Sequence, residues 1–341
     1  MGVTRQIKVG ILTAPHIEFE QRANTFILKN VRIGIGFHWD RYEDQEFAGT
    51  LTIRNNADGT QTAINTIDLE DYLCSVISSE MNANSPMELL KAHAVISRSW
   101  AIRAMQKPNH EGFDVCADDH CQRYEGLRRM SERAVEAVRA TAGQVLLYND
   151  EICDCRYYKC CGGKTEIWRT CWEDIDVPYI QSVRCDYCKS PSPKILRLVL
   201  NDYDRETKDF RDWKVTYKDE ELNEIIRTKS GIDFGEIIDL IPLHRGASGR
   251  IDQLRIVGTK HTEVIGKELK IRYWLSRSCL YSSWFEVAHE NGVWTLSGHG
   301  WGHGAGLCQI GAAVMATEGK TYEEILTYYY PGTRLNEKMR K

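Results

Sequence analysis

No stretch of the chain reaches the roughly 18 apolar residues that a membrane-spanning helix needs. Even the opening Met1 to His16 meets a lysine or a proline every few residues, and it is not a signal peptide. An excess of charge of one sign is also missing. The 44 Lys and Arg against 48 Asp and Glu leave a formal charge of -4, so nothing marks a polyanion partner and nucleic acid is not expected. Tandem repeats, long low-complexity linkers and the Gly-x4-Gly-Lys-Ser/Thr phosphate loop are absent as well. These absences leave a globular chain of 341 residues, about two domains' worth of material, with 42% hydrophobic and 27% charged residues. What it has in excess is cysteine. Seven of the 12 (Cys153, Cys155, Cys160, Cys161, Cys171, Cys185 and Cys188) fall within 36 residues, a clustering that calls for metal, disulfides or reactive thiols.

Residues 7 to 67 read as an antiparallel β module. Ile7, Val9 and Ile11 alternate, as do Val31, Ile33 and Ile35, and Leu51 to Ile53 is bounded by the turn Asn55 to Gly59. From Ile67 the spacing turns helical, through Leu69, Tyr72, Leu73, Val76 and Ile77, and stops near Ser78-Ser79-Glu80. Ser85-Pro86-Met87-Glu88 reads as a capping box with proline at the first helical position, opening a helix from Leu89 to about Met105. Glu80 then sits in the joint between two helices. A loop from Lys107 to Gly126 comes next, then a helix over Met130 to Ala142, a strand over Val145 to Tyr148 and a further β segment around Ile152 to Tyr158. Residues 190 to 250 are more polar and read as an inserted lobe, after which β alternation returns at Ile251, Leu254 and Ile256. The expected class is α+β: a β-rich part over 1–67, a helical core with mixed β segments over 68–189 and 251–341, and the lobe over 190–250.

Within the long loop, His110, Cys116, His120 and Cys121 place four soft or borderline donors in 12 residues, the ligand inventory of a tetrahedral zinc site with two cysteines and two histidines. The spacing also admits a Cys116 to Cys121 disulfide with two solvated histidines. If the ion is there, all four positions are filled by protein, so it is structural, and its binding energy orders a loop of little apolar content. For the cysteines from 153 to 188, a second zinc, disulfides and unpaired buried thiols all stand open, and no ligand is assigned.

Glu80 is placed as a general acid can be, after an apolar helix whose last carbonyls favour the protonated form. The positive end of the next helix opposes this, and a surface glutamate ending a helix fits equally well. On that next helix Arg98 and Lys91 read as solvated residues or as a ligand clamp. Glycines at 298, 300, 302, 304 and 306 leave His299, Trp301 and His303 in a backbone that can approach a ligand closely.

Taken in order, these motifs resemble the stage II sporulation protein D (SpoIID) family, which includes the amidase enhancers and whose active members are peptidoglycan lytic transglycosylases. The resemblance rests on Leu69-Glu70-Asp71-Tyr72-Leu73 leading to Ser79-Glu80-Met81, and on Leu90 to Val95 with Ser97-Arg98-Ser99-Trp100. It continues through Asp114-Val115-Cys116, His120-Cys121-Gln122-x-Tyr124-x-Gly126 and Gly162 to Glu166. Gly302 to Ala312 and Tyr328 to Thr333 close it. The resemblance implies that Glu80 is the catalytic glutamate. It also implies that His110, Cys116, His120 and Cys121 bind one structural zinc, and that Arg98, Gln122, Tyr124, His303 and Gln309 contact substrate. The chain departs from the family pattern at Asn82, where proline is frequent, and at Cys160-Cys161 and Cys308, where serines are frequent.

The expected activity is therefore that of a lytic transglycosylase acting on peptidoglycan glycan strands in the cell envelope, periplasm or outside the cell, despite the lack of a signal peptide. Hydrolytic glycosidases use two carboxylates, whereas one well-placed glutamate suits a reaction in which the sugar's own C6 hydroxyl attacks. Two other readings stand beside it: a non-catalytic wall-binding enhancer with a cell-wall amidase as partner, and a cytosolic zinc-binding interaction protein.

Overall fold

The computed structural model describes residues 5–36, 40–118, 120–189, 191–200 and 211–336. The fold is mixed α+β, as expected. Its opening module is two antiparallel systems. β1 (Gln6–Ala14) pairs with β6 (Gln61–Asp68), which also pairs with β5 (Thr50–Asn55), while β2 (Phe19–Gln21), β3 (Thr25–Ile33) and β4 (Arg41–Ala48) form a separate sheet. The alternation in β1 and β3 is the cause: Ile7, Val9, Val31 and Ile33 turn inward and are buried, whereas Ile35 lies past the end of β3 and is exposed.

β6 runs directly into α1 (Leu69–Glu80). Asp68 caps that helix, its side chain accepting from the Glu70 N–H at 2.8 Å. Leu69, Tyr72, Leu73, Val76 and Ile77 are all buried, so α1 delivers Glu80 from the core outward. α2 (Met87–Gln106) packs beside it. The expected capping box at its start does not form. The Ser85 hydroxyl donates instead to the Leu198 carbonyl at 3.1 Å, and the Glu88 carboxylate accepts from the Tyr322 N–H at 2.8 Å and from Lys91 at 2.7 Å. Tertiary partners displace the local cap. α3 (Glu132–Ala140) is capped by Ser131 and lies against α1 and α2.

Two cores result. The larger joins the opening module to α1, α2, α3 and the C-terminal helices Gln309–Thr317 and Tyr322–Tyr329. The second holds apolar side chains between Trp213 and Leu296, so it draws on residues from both sides of position 250. Strand Asp212–Lys218 pairs with Val293–His299, which accounts for that reach. Glu166 ties three distant segments together: its buried carboxylate accepts from the N–H groups of Ala247 and Ser248 and from the Ser248 hydroxyl at 2.6–3.0 Å, while its own N–H donates to the Gly304 carbonyl.

The glycine run at 298–306 is packed rather than open. A Cβ at Gly302 would meet Tyr158 at 2.7 Å, and one at Gly306 would meet the Arg156 carbonyl at 2.0 Å; both residues have positive φ. The backbone there approaches the chain's own atoms, which corrects the expectation of a ligand-facing loop.

Candidate functional site

Glu80 is 9% exposed, and its Oε1 accepts two hydrogen bonds: from the Arg123 N–H at 3.1 Å and from the Tyr157 hydroxyl at 3.0 Å. Neither partner is a carboxylate. Tyr157 comes from the short strand Tyr157–Tyr158, which pairs in parallel with Leu307–Cys308. Burial and the neighbouring Glu80 charge push its phenol well above the usual tyrosine value, so it stays a hydrogen donor.

Behind Tyr157 stand two neutral histidines. The His93 ring meets the Tyr157 ring edge-on at 4.4 Å, and its Nε2 accepts from the Gln309 side-chain amide at 3.0 Å. Burial, with Lys159 nearby, holds His93 down at about 3. His303 accepts from the Ala305 N–H at Nδ1, so its Nε2 carries the hydrogen and donates to the Tyr157 carbonyl at 3.0 Å. Its pKa too is driven well below the ordinary histidine value by burial. The ring packs edge-on between Tyr158 and Trp172. Arg156, the residue before Tyr157, pairs with Asp154 at 2.7 Å and lies over the rings of Trp100, Trp168 and Trp172 at 5.7, 5.3 and 4.7 Å, giving this flank an aromatic wall.

The structure sorts the expected substrate contacts by what they touch. Arg98 is 1% exposed, and its guanidinium grips Glu70 through two bonds at 2.8 and 2.6 Å and the carbonyls of Gln144 and Val138 at 3.0 and 3.3 Å. It is a clamp between α1, α2 and the end of α3, not a ligand contact. Tyr124 is likewise core. Its hydroxyl donates to Asn65 at 2.7 Å and its ring packs between Phe47 and Tyr72. Gln122 and Gln309 are buried supports: Gln122 accepts from Tyr72 and donates to the Ser97 carbonyl, and Gln309 holds His93. His303 supports Tyr157 from the other side. Lys91 pairs with Glu88 at the surface.

Sequence reasoning passed over Tyr157 and the Arg123 N–H. The only signal for Tyr157 was its place in a β segment, since a tyrosine pair is ordinary core material.

The four donors of the long loop converge. One donor atom from each of His110, Cys116, His120 and Cys121 lies within 4.8 Å of the others. His110 Nε2 is 3.2 Å and His120 Nδ1 is 3.6 Å from the Cys121 sulfur, while His120 Nδ1 is 4.0 Å from Cys116. Two histidine nitrogens and two sulfurs at this separation fit one tetrahedral ion. A hydrogen bond from the Cys121 thiol, helped by one from His120, holds the Cys116 thiol down at about 4 against the effect of burial. Cys116 extends β1 in parallel at Gly10, and His110 stacks on Phe113, whose ring fills the space over that glycine. Two residues after Cys121 comes Arg123, whose N–H reaches Glu80. The loop and the acid are thus one assembly. A surface cavity of about 610 Å³ along α3, lined by Met130, Glu132, Val135 and Arg139 among others, includes none of these groups.

Comparison with known proteins returns the same family that the motifs resemble. Residues 57–148 match the SpoIID profile, described as stage II sporulation protein, and residues 166–306 match a domain of unknown function, DUF8618. Stage II sporulation protein D of Bacillus subtilis (strain 168) is 29% identical over 290 residues, covering 81% of this chain and 76% of that protein. An uncharacterized protein of Brachyspira hyodysenteriae is 28% identical, covering 84% of this chain and 71% of that protein. The amidase enhancer of Bacillus subtilis is 26% identical, covering 77% of this chain but 40% of that larger protein. Glu80 and the four loop donors fall inside the SpoIID match; Tyr157 and Gln309 fall outside both matches.

Proposed function

We propose that this chain, a SpoIID-domain protein with relatives named for sporulation and amidase enhancement, works on the bacterial cell wall as a peptidoglycan lytic transglycosylase. It would cleave the β-1,4 bond between N-acetylmuramic acid and N-acetylglucosamine. The observation that supports this most is the buried Glu80 carboxylate, whose hydrogen-bond partners are a phenol and a backbone amide.

In the reaction, Glu80 Oε1 keeps its two donors and Oε2 carries the proton. That proton passes to the glycosidic oxygen as the C1–O4 bond breaks. The muramic acid's own O6 then bonds to C1, and the O6 proton returns to Oε2. No water is consumed and the acid is regenerated, so one carboxylate suffices where hydrolysis would need two. Tyr157 and the Arg123 N–H fix the carboxyl's rotamer and stabilise its ionised form between the two proton transfers. His93 and His303, both neutral, hold Tyr157 without competing for the proton.

His110, Cys116, His120 and Cys121 hold a structural zinc in this reading, which supplies folding energy to the loop carrying Arg123. The substrate places the protein in the cell envelope, and no described helix is long and apolar enough to cross a membrane.

The amidase enhancer relative favours a second reading, a wall-binding protein that stimulates an amidase partner. One experiment separates them: isolated glycan strands treated with wild type and Glu80→Gln, with chain ends identified by mass spectrometry. We expect 1,6-anhydro ends from the wild type and none from the variant. Hydrated reducing ends, or equal activity of Glu80→Gln, refute the transglycosylase; no cleavage by either, with an amidase accelerated, supports the enhancer.

A further inference from the structure

The cysteines left unassigned by sequence gather at a second point. Cys161 lies just past the strand Tyr157–Tyr158, Cys185 precedes and Cys188 ends the short 3-10 turn Asp186–Cys188, and Cys308 caps the helix Gln309–Thr317. All four are buried, and their Sγ atoms lie within 4.8 Å of one another.

We propose that Cys161, Cys185, Cys188 and Cys308 hold a second structural zinc ion, in an all-cysteine shell independent of the His110, Cys116, His120 and Cys121 site. Four sulfur donors in a compact set select zinc or an iron–sulfur centre. Size sets a single ion apart from a multi-iron cluster. Four thiolates around one zinc at about 2.3 Å stand about 3.8 Å apart, a separation inside the observed spread, whereas an iron–sulfur cube holds its thiolates further apart.

The surroundings suit thiolates. The Gly163 N–H points at the Cys161 sulfur at 3.3 Å, and the Cys161 and Gly311 N–H groups point at the Cys308 sulfur at 3.3 and 3.4 Å. A thiol sulfur is a weak acceptor, so amides aimed at it are better used by a thiolate. Binding exchanges the four S–H protons for one divalent ion and leaves a net charge of about −2 on the centre. Buried Arg250 partly offsets it, its guanidinium resting on the Cys161 carbonyl at 3.4 Å. The Cys161 and Cys188 sulfurs stand 3.0 Å apart, at hydrogen-bond distance and without a disulfide between them.

The ion would pin three segments, one of which begins Cys308-Gln309. Since Gln309 holds His93 against Tyr157, the centre sets the wall behind Glu80.

The test is zinc content by mass spectrometry of protein purified without chelator, together with X-ray absorption at the zinc edge. Wild type, Cys116→Ser/Cys121→Ser and Cys185→Ser/Cys188→Ser are compared. We expect two zinc ions per chain in the wild type and one in each double variant. The ion remaining in Cys116→Ser/Cys121→Ser has an all-sulfur shell, and this result stands even if the first site is not a zinc site. Should Cys185→Ser/Cys188→Ser fail to fold, the wild-type shell decides: about three sulfurs to one nitrogen per zinc for two sites, equal numbers for the first alone. One zinc with equal sulfur and nitrogen, iron with acid-labile sulfide, or a Cys161 to Cys188 disulfide in unreduced protein overturns the proposal.

Discussion

Replacing Arg98 separates a clamp from a ligand contact. The guanidinium is buried and directs its donors to Glu70, the Gln144 and Val138 carbonyls and, at 3.5 Å, the carbonyl of Ala94 in its own helix. Glu70 is 36% exposed on its side chain, so its bonds are screened and count for about 1 kcal/mol. The two cross-element carbonyls accept from a charged donor and lose about 1.5 to 3 kcal/mol each when it goes. Arg98→Met is therefore expected to lower stability by about 4 to 7 kcal/mol, and Arg98→Lys, with a point charge and no fork, by about half of that. Because a chain of this size need not unfold in a single step, the loss is best read from hydrogen exchange of α2 peptides along a urea series. Glycan affinity of the folded variants should stay within about twofold of wild type. If Arg98→Met leaves α2 protection unchanged, or if the folded variant loses glycan affinity about tenfold, the clamp reading is wrong.

Tyr157→Phe removes one charge-assisted bond to Glu80, worth about 1.5 to 3 kcal/mol, so glycan cleavage should slow by about 10- to 100-fold with the circular dichroism spectrum unchanged; full activity would remove Tyr157 from the site. Acid should destabilise the fold early. His93, at about 3 when folded, takes up its proton near 6.5 when unfolded, and His303 behaves alike, so stability is intact above pH 6.5 and falls as pH drops toward 3. The slope is about 1.4 kcal/mol per pH unit for each histidine. Denaturation at pH 7.5 and pH 5 should show it, with His93→Gln removing one proton's share; an unchanged slope in that variant contradicts the buried neutral ring.

Local patterns in the sequence were enough for the outline. Apolar alternation set the inward faces of β1 and β3, helical spacing set α1, the start signal at Ser85 to Glu88 announced α2 although its cap does not form, and the motif order carried the family resemblance that the SpoIID match bears out. The loop donors were legible because metal-ligand chemistry depends on residue type and short spacing, both visible in one dimension. Pairing across long separations was not legible. Nothing near Ser85 announces that its hydroxyl serves Leu198, and nothing near Arg98 shows that its donors serve Gln144 and Val138. Glycine spacing at 298–306 states only that side chains are excluded, and the fold decided that Tyr158, Arg156 and Arg250 do the excluding. Tyr157 joins Glu80 across 77 positions, and Cys308 meets Cys161 across 147. The sequence alone determined which residues could perform acid or metal chemistry, because that is a property of side chains. Which of them share a site was decided by the tertiary structure, because burial and packing bring together groups that the chain holds far apart.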